Sequence, residues 1–470
     1  MFHLKENGTN VRTEIVAGLT SFMTMAYIVA LNPNLLTNFA SGTPLWNAVF
    51  MATCISSFVG TLCMAFFANK PFALAPGMGL NSFFAAVAAN IAAMLGVSLT
   101  EGFQVGLIIM LIEGLLFCVL SVLRVRDKIV SSIPLCIRLG IAPALGLMLL
   151  NIGFGSNAGI FSETGGPFYV MTDFFGALTP SVASDKMGSG YTAMILTVVT
   201  MLAGLFIIVI LSKKRVKGAV LYGILLASVI YWAGEALFLH SNPFESLKSA
   251  SFVPPIRDML DVTFFKFNFA GFVKIGWFTA ITLVITFCII DMFDTIGTFI
   301  GASTRAGLVD ENGNMPKMKE ALLADAVATV VGACTGTSTV TTFVESASGV
   351  EAGGRTGLTA VTTAVLFLAC VFIAPLVAII PPAATSAALI YVGILMLMGL
   401  QKIDLSDIDQ LVPVGVMLIA MPISGSIGHA IGLGIISYTV IQLLSGKAKN
   451  VSALTYVLSV LFLLKFFVVV

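Results

Sequence analysis

The sequence predicts a polytopic α-helical membrane protein with about fourteen transmembrane segments in two inverted halves, and three observations lead to this prediction. The first is composition: 58% of the 470 residues are hydrophobic and only 10% are charged, with a mean hydropathy of +1.03. The second is that the apolar residues lie in runs of about 20, the length that a helix needs to cross a bilayer. The third is an internal repeat.

The composition excludes a soluble domain, because a soluble chain carries about 25% charged residues. Too few charges remain here to cover a surface that faces water. Lipid offers the backbone no hydrogen bonds, so the spans must be helices or a closed barrel. The apolar runs are continuous rather than alternating, which favours helices.

We place about seven spans in each half, from the lengths of the apolar runs. The thirteenth is unusually long, and Pro422, Gly425 and Gly428 interrupt it. The first half comprises 15–36, 45–68, 72–95, 102–123, 129–152, 191–212 and 217–240. The second half comprises 272–300, 320–336, 337–353, 355–378, 381–400, 410–445 and 451–469.

Basic residues predict that both termini are cytoplasmic. Lys and Arg cluster at 124–128 and 213–217, in loops that would share a side with the N-terminus. Cytoplasmic loops of membrane proteins carry an excess of these residues. Residues 1–14 lack a short apolar core followed by a cleavage site. We therefore expect no signal peptide and a cytoplasmic segment at 1–14.

The internal repeat links the fifth and twelfth spans. Ile133-Pro134 begins the fifth span and GLML follows at 146–149, whereas Ile380-Pro381 begins the twelfth and GILM follows at 393–396. The two pairs are offset by the same number of residues. Because the number of spans per half is odd, the second copy would enter the membrane from the opposite side. Inverted repeats of this kind are typical of transporters that bind their substrate near the bilayer midplane.

The third span of each half is interrupted. Residues 72–84 contain Pro76-Gly77, and residues 336–349 carry a β-branched polar run before Glu345. Extended backbone at membrane depth is tolerated only where it is buried in protein or lines a cavity. A half-helix after such a stretch would direct free N–H groups at a ligand. A kinked helix with a packing role is the alternative interpretation.

Carboxylates inside the spans are the sharpest functional signal. A charge at the bilayer centre costs at least about 2.5–3.5 kcal/mol, so each one requires a reason. A carboxylate can accept two parallel hydrogen bonds from a flat ligand, and a desolvated one can hold a proton near neutral pH. The five are Glu113, Asp291, Asp294, Asp325 and Glu345.

We assign Asp294 and Glu345 to ligand binding and to proton coupling. Asp291 shares a helix face with Asp294, and it serves either the ligand or a hydrogen bond that fixes the helix. Asp325 and Glu113 lie on neighbouring spans, and we interpret them as structural partners.

Aromatic residues flank these polar positions. Phe83 follows the Pro-Gly break of the third span, and Phe343 precedes Glu345. Either ring can cover the face of a flat ligand. We include both in the candidate binding site.

The remaining motifs exclude several function classes. The seven cysteines form no CxxC pair and the three histidines show no metal spacing, so we expect no metal and no cofactor. The glycine-rich stretch at 332–338 is followed by no lysine and is not a phosphate-binding loop. A net charge of +1 gives no reason to expect a nucleic-acid partner. An intramembrane enzyme would need a nucleophile–base pair or a metal set, and histidines are nearly absent from the spans.

Four segments carry a resemblance to a known family. They resemble the adenine/guanine/hypoxanthine permease branch of the nucleobase:cation symporters, within the xanthine/uracil permease superfamily. The segments are TEIVAGLT at 13–20, APGMGLN at 75–81, DMFDTIGT at 291–298 and GTSTVTTFVES at 336–346.

The resemblance implies the fold of the uracil permeases, with short antiparallel strands in spans 3 and 10. The first repeat would then occupy 15–240, an external linker 241–271 and the second repeat 272–470. A core domain that binds substrate would comprise 15–123 and 272–378. A gate domain that mediates homodimerisation would comprise 129–240 and 381–469.

The resemblance also implies a function and residue roles. Members of this branch import hypoxanthine, guanine or adenine through the cell membrane, together with protons or alternatively sodium ions. Substrate contacts from spans 3, 8 and 10 fall here on Asn81, on Asp291 or Asp294, and on Glu345. The run DTIGT at 294–298 takes the place of a Glu-x-x-Gly-His motif of uracil permeases. Asp for Glu and Thr for His favour purines over uracil.

Three alternative transport functions remain. One is a symporter of xanthine or uracil with the same fold. Another is an anion carrier of the sulfate permease type, although midplane carboxylates would repel an anion. The third is a passive channel, which a proton uncoupler would not affect.

Overall fold

The computed structural model of the chain describes most of the helical segments but not all of the segments that connect them. It describes residues 2–38, 40–123, 134–154, 161–163, 169–171, 191–245, 247, 251–305, 317–343, 345–404, 406–424 and 427–468. The basic cluster at 124–128, Ile133 and the side chain of Asp294 lie outside the described part.

Among the described residues, the regular secondary structure is helical apart from four short strands. The first half comprises α1 (Val11–Met25), α2 (Ile28–Leu36), α3 (Pro44–Cys63), β1 (Leu74–Pro76), α4 (Met78–Leu95), α5 (Leu99–Leu123), α6 (Leu135–Phe154), β2 (Phe161–Glu163), β3 (Tyr169–Met171), α7 (Tyr191–Lys213) and α8 (Ala219–Gly234).

The second half has the same character. It comprises α9 (Ile256–Val262), α10 (Phe269–Lys274), α11 (Trp277–Arg305), α12 (Met318–Thr335), β4 (Val340–Thr342), α13 (Ser346–Glu351), α14 (Gly357–Ala369), α15 (Ala374–Ala378), α16 (Pro382–Met396), α17 (Ile408–Ser424), α18 (Ile427–Leu444) and α19 (Ala453–Val468).

The helices have the length and composition of membrane spans. Among the described residues, nine helical segments of 18 residues or more are apolar enough to cross a bilayer, beginning with Val11–Leu36. Shorter apolar helices add Trp277–Met292, Ile408–Ile423, His429–Leu444 and Ala453–Leu464. The chain is therefore a multi-pass α-helical membrane protein, and the predicted fold class is confirmed.

The predicted thirteenth span is wrong in one respect. Residues 410–445 form two helices, α17 and α18, and these pack against each other instead of continuing as one broken helix. Helix α17 contains Pro413 and Pro422 and ends at Ser424, and α18 begins at Ile427. Pro422 thus lies in the last turn of the first of two helices.

The chain divides into two compact units. The first contains Met1–Ser132, Phe252–Ala374 and Leu464–Val470, and the second contains Ile133–Ser251 and Pro375–Leu463. In the second unit, α6 packs against α16 at two glycines. A Cβ on Gly146 would lie 2.5 Å from the main-chain oxygen of Gly393, and a Cβ on Gly393 would lie 2.7 Å from that of Gly146. Only glycine allows this approach at either position.

In the first unit, β1 and β4 pair as an antiparallel two-stranded ribbon. The paired residues are Leu74 with Thr342, Ala75 with Thr341 and Pro76 with Val340. The short antiparallel strands expected in spans 3 and 10 are therefore present. The apolar residues that pack together around the ribbon are Met64, Ala68, Phe72, Leu74, Ala321, Leu322, Ala324, Ala328, Val340 and Val350.

Side chains from two helices satisfy the outer edges of this ribbon. Thr61 of α3 accepts from the Leu74 N–H at 2.9 Å and donates to the Leu74 carbonyl at 3.1 Å. On the other edge, Asp325 of α12 accepts from the Thr342 N–H at 3.1 Å, and Thr329 donates to the Val340 carbonyl at 3.2 Å. Open strand edges are not tolerated in lipid, so these contacts explain why a two-stranded ribbon can exist in this protein.

A buried glutamate joins the first span to the eleventh. Glu14 of α1 accepts from the Arg355 N–H at 2.9 Å and, at the start of α14, from the Thr359 N–H at 3.1 Å and hydroxyl at 2.6 Å. Helix N-termini leave N–H groups unsatisfied, and a carboxylate is stabilising there. The TEIVAGLT segment is thus explained by packing and capping.

The linker expected at 241–271 is partly helical. Helix α9 packs on α3, where the Asn47 amide donates to the Asp258 carboxylate at 2.7 Å. Next to it, the Thr263 hydroxyl donates to the Thr335 carbonyl at the end of α12, at 2.9 Å. This part of the linker therefore belongs to the first unit.

Candidate substrate site

The ribbon interrupts spans 3 and 10, and a helix follows each of its strands: α4 follows β1 and α13 follows β4. Gly77 precedes α4, and its N–H donates to the Thr339 carbonyl at 3.0 Å. Glu345 precedes α13, and the N–H of Phe343 donates to the Ala73 carbonyl at 3.1 Å. The Pro-Gly break and the β-branched run therefore have one cause: each segment must leave the helix to pair with the other.

Asn81 lies in the first turn of α4 and is fully buried. Its amide donates to the Pro76 carbonyl at 3.2 Å, and its side-chain oxygen accepts a short hydrogen bond from the Ser338 hydroxyl. Asn81 therefore ties the start of α4 to the residues that lead into β4. An amide NH₂ has two donors, so a second hydrogen remains for another acceptor.

Glu345 is partly buried and is held by the first span. Its Oε1 accepts from the Tyr27 hydroxyl at 2.7 Å, and its main-chain oxygen accepts from the Thr24 hydroxyl at 3.3 Å. Sequence reasoning did not select Tyr27. The break between α1 and α2 at Ala26-Tyr27 carries no glycine or proline, so the sequence offers no local signal for it.

Asp291 is buried on α11 within a cluster of oxygen atoms. Its Oδ1 lies 3.1 Å from the Thr295 hydroxyl. That hydroxyl also lies 3.0 Å from Asp325 and 2.9 Å from the Thr341 hydroxyl on β4. Asp291 is thus linked through Thr295 to the ribbon.

The two carboxylates interpreted as structural partners both bind the segment around β4. Asp325 accepts from the Thr341 hydroxyl as well as from the Thr342 N–H, each at 3.1 Å. Glu113 of α5 accepts from the Thr339 hydroxyl at 3.0 Å. Their contacts therefore fix the extended stretch of the tenth span.

The two candidate aromatic residues are both buried. The ring of Phe83 lies 4.4 Å from that of Phe287, centroid to centroid, one turn before Asp291 on α11. Phe343 is 6% exposed and directly follows β4. Phe83 therefore packs span 3 onto span 8, and Phe343 belongs to the turn that leads to Glu345.

Three of the candidate residues lie on or next to the ribbon, in spans 3, 8 and 10. Asn81 contacts Pro76, Asp291 is linked to Thr341 through Thr295, and Glu345 follows β4 in the chain. In the described part of the chain, no group of three or more His, Cys, Asp or Glu residues could hold a metal ion. Carboxylates, an amide and aromatic rings are the groups available around the ribbon, and they suit a small flat polar ligand.

We predict that Asn81→Ala weakens ligand binding by about 1–3 kcal/mol, a rise in Kd of about 5- to 150-fold. The reason is that buried groups that form hydrogen bonds with the Asn81 amide would be left without a partner. It should also change the preference among related ligands, since their polar rims differ. Asn90→Ala is the matched control, because Asn90 is exposed on the same helix. Equilibrium binding to purified protein measures both. Equal Kd values for the two variants would remove Asn81 from the site.

Spans that break around a buried polar ribbon are typical of membrane transporters. The chain belongs to the xanthine/uracil-type permease family, whose model matches residues 12–184 and 177–424. It is thus a permease and not an enzyme.

Several proteins similar to this chain over its full length are named as permeases. An adenine permease of Escherichia coli is 35% identical, with 99% of this chain and 95% of that protein covered. A guanine/hypoxanthine permease of Bacillus subtilis is 37% identical over the whole of both chains. A putative permease of Methanocaldococcus jannaschii is 38% identical over 99% of this chain and 97% of the other.

Solved structures share the fold. The transmembrane domain of a cyanobacterial bicarbonate transporter matches with a TM-score of 0.61 at 15% identity, covering 91% of this chain and 97% of that one. The murine solute carrier 26 family member A9 anion transporter gives a TM-score of 0.59 at 11% identity, with 92% and 68% covered. At such identities the likeness establishes the fold alone.

Proposed function

We propose that this permease imports purine nucleobases by proton symport across the cell membrane. The observation that carries the proposal is the full-length similarity, at 35–37% identity, to permeases named for adenine and for guanine and hypoxanthine. The residues around the ribbon fit such a ligand. A purine is flat, with ring N–H and amino donors on its rim and two apolar faces.

In the proposed complex, the base binds among spans 3, 8 and 10. Glu345 and either Asp291 or Asp294 accept hydrogen bonds from the rim, and Asn81 offers both a donor and an acceptor. Phe83 or Phe343 covers one face of the ring. Two observations support this arrangement. Asn81 and, through Thr295, Asp291 connect to the ribbon that Glu345 follows in the chain, and the ring of Phe83 lies against α11.

Asp294 and Glu345 are the proposed proton carriers. A carboxylate that is removed from water can hold a proton near neutral pH and release it when its surroundings change. Glu345 is partly buried and directly precedes α13, and its partial exposure supports proton exchange with solvent. Sodium coupling is the alternative for the same acidic residues.

The division of the chain supports a core-and-gate arrangement. The first unit holds the ribbon and all the candidate residues, so we propose that it is the substrate-binding core. The second unit then serves as the gate and as the surface through which two copies form a homodimer. Both termini are proposed to be cytoplasmic, on the strength of the basic loops.

Uptake of radiolabelled bases into cells that lack purine uptake tests the proposal. We expect concentrative uptake of hypoxanthine, guanine or adenine, and its loss when an uncoupler collapses the pH gradient at fixed sodium concentration. Uptake that persists unchanged would contradict proton coupling. Uptake of xanthine or uracil instead would identify another nucleobase symporter, and uptake of sulfate alone an anion carrier.

A further inference from the structure

We propose that Tyr27 in the first span is a positioning residue for Glu345. Its phenol holds one carboxylate oxygen, so that the other is presented to the base, and it sets the pH range in which the carboxylate is ionised. This inference rests on the proposed function, in which Glu345 binds the base. It adds the first span to a site otherwise built from spans 3, 8 and 10.

The contact itself has the geometry of a strong hydrogen bond. Tyr27 is 1% exposed, and its hydroxyl lies 2.7 Å from Oε1 of Glu345. Hydrogen bonds from a neutral donor to a carboxylate are shorter and stronger than those between neutral groups. The phenol O–H donates to one of the two carboxylate oxygens. The second oxygen keeps its capacity to accept from a ligand or to carry a proton.

The first span also holds the main chain of Glu345. The Thr24 hydroxyl lies 3.3 Å from the Glu345 carbonyl oxygen and 2.8 Å from that of Ser21 in its own helix. Tyr27 follows Thr24 by less than one turn, in the two-residue break between α1 and α2. One short stretch of span 1 therefore contacts Glu345 at both its backbone and its carboxylate.

A glycine allows the first span to come this close. A Cβ on Gly349 of α13 would lie 2.8 Å from the Ala17 carbonyl oxygen and would overlap the Ser21 hydroxyl. Packing of α1 on α13 therefore requires glycine at this position. Ala17, Ser21 and Tyr27 belong to the first span, and Glu345 and Gly349 belong to the tenth. The two spans that pack at Gly349 are therefore the two that form the Tyr27–Glu345 contact.

The other charged groups around this pair have their own contacts. On α1, Glu14 accepts from the N–H groups at the start of α14. On α11, Asp291 lies against Thr295. After α13, the Arg355 guanidinium donates to the Val350 and Gly354 carbonyls at 2.7 and 2.8 Å. Glu351 is exposed at the end of α13, and the Asp294 side chain on α11 lies outside the described part. Tyr27 is thus the group of span 1 that touches the Glu345 carboxylate.

The test compares Tyr27→Phe with wild type, with Glu345→Gln and with Tyr222→Phe, a control tyrosine that is 38% exposed in the other unit. Initial rates of radiolabelled hypoxanthine, guanine and adenine uptake are measured from pH 5 to 9. We expect Tyr27→Phe to raise KM about tenfold, with a smaller change in Vmax. The pH profile should move to higher pH by about one unit, because the ionised carboxylate loses a donor. Tyr222→Phe should match wild type.

A double variant separates positioning from a purely structural role. If Tyr27 acts through Glu345, Tyr27→Phe should add little to the rise in Kd already caused by Glu345→Gln, measured as equilibrium binding of hypoxanthine to the purified protein, since the effects of contacting residues are not additive. Independent effects of the two changes, or a fall in thermal stability with an unmoved pH profile, would overturn the inference. So would wild-type KM and pH dependence in Tyr27→Phe.

Results that contradict the proposed function differ from results that contradict the role of Tyr27 alone. If cells that express the wild-type protein take up none of the three purines, the proposed function is contradicted. Wild-type uptake in Glu345→Gln would remove Glu345 from the site. Loss of uptake in Glu345→Gln together with an unaltered Tyr27→Phe would leave the proposed function in place and contradict the role of Tyr27 alone.

Discussion

Glu345→Gln should abolish concentrative purine uptake while the protein still inserts into the membrane. The amide keeps the shape of the side chain and one acceptor, but it cannot carry a proton or accept equally at both atoms. It would also bring NH₂ donors toward the Tyr27 hydroxyl if the amide group turned over. In Glu345→Gln, the tenth span would therefore offer neither a group that carries the proton nor the carboxylate that accepts from the base.

Accumulation of radiolabelled base against its gradient measures this effect, alongside surface expression and counterflow exchange. Glu351→Gln is the matched control, since Glu351 is exposed at the far end of the same short helix, α13. We expect the control to accumulate base like wild type. Accumulation at the wild-type level in Glu345→Gln would exclude Glu345 as either the proton carrier or a main contact of the base. The same assay applies to Asp294→Asn, for which we expect the same loss.

The helical spans were the most predictable part of the fold. Lipid allows only helices or a closed barrel, and continuous apolar runs of this length favour helices, so composition and continuity decided the class. Pro76-Gly77 and the threonine-rich run before Glu345 also identified the two spans that break. Their pairing into a ribbon could be expected only from the family resemblance, because two three-residue strands separated by most of the chain leave no periodic signal.

The repeat-related glycines show how a sequence pattern can mark a contact. Gly146 and Gly393 occupy equivalent positions in the two matched spans. In the structure, the backbone of each lies where the other would place a Cβ. Helices that cross at small residues approach closely in membranes. A two-fold relation between the spans would bring equivalent residues together in this way.

Contacts between distant residues could not be predicted. Tyr27 binds Glu345 and Asp325 binds Thr342, and in each case tertiary packing chooses the partner. A buried carboxylate indicates that some donor must be near, but it does not identify the donor. The boundary between α17 and α18 was misinterpreted for a related reason. Pro and Gly indicate that a helix stops, and they do not reveal whether the chain then continues or turns back.

Asp325→Ala should destabilise the first unit by about 2–4 kcal/mol and should also remove transport, although Asp325 is not assigned to the ligand. The carboxylate accepts from the Thr341 hydroxyl and the Thr342 N–H on β4. Alanine would leave that N–H without an acceptor at the outer edge of the ribbon. The Thr341 hydroxyl can instead donate to the Thr295 hydroxyl, 2.9 Å away. Loss of the Thr341–Asp325 hydrogen bond should therefore contribute less to the destabilisation than loss of the Thr342 N–H bond.

Transport should fail because β4 leads directly to Glu345. Without the Asp325 contact, β4 keeps the Thr329–Val340 hydrogen bond of this edge to α12, but the end of the strand that leads to α13 is no longer fixed. Asp325→Asn should have an intermediate effect, since its amide oxygen can still accept from the Thr342 N–H. Glu320→Ala, on the exposed side of the same helix, should behave like wild type. The measurements are the Tm of the purified protein in detergent and the uptake of radiolabelled base. The expected order of both is wild type and Glu320→Ala, then Asp325→Asn, then Asp325→Ala. A wild-type Tm in Asp325→Ala would mean that the ribbon does not depend on this carboxylate.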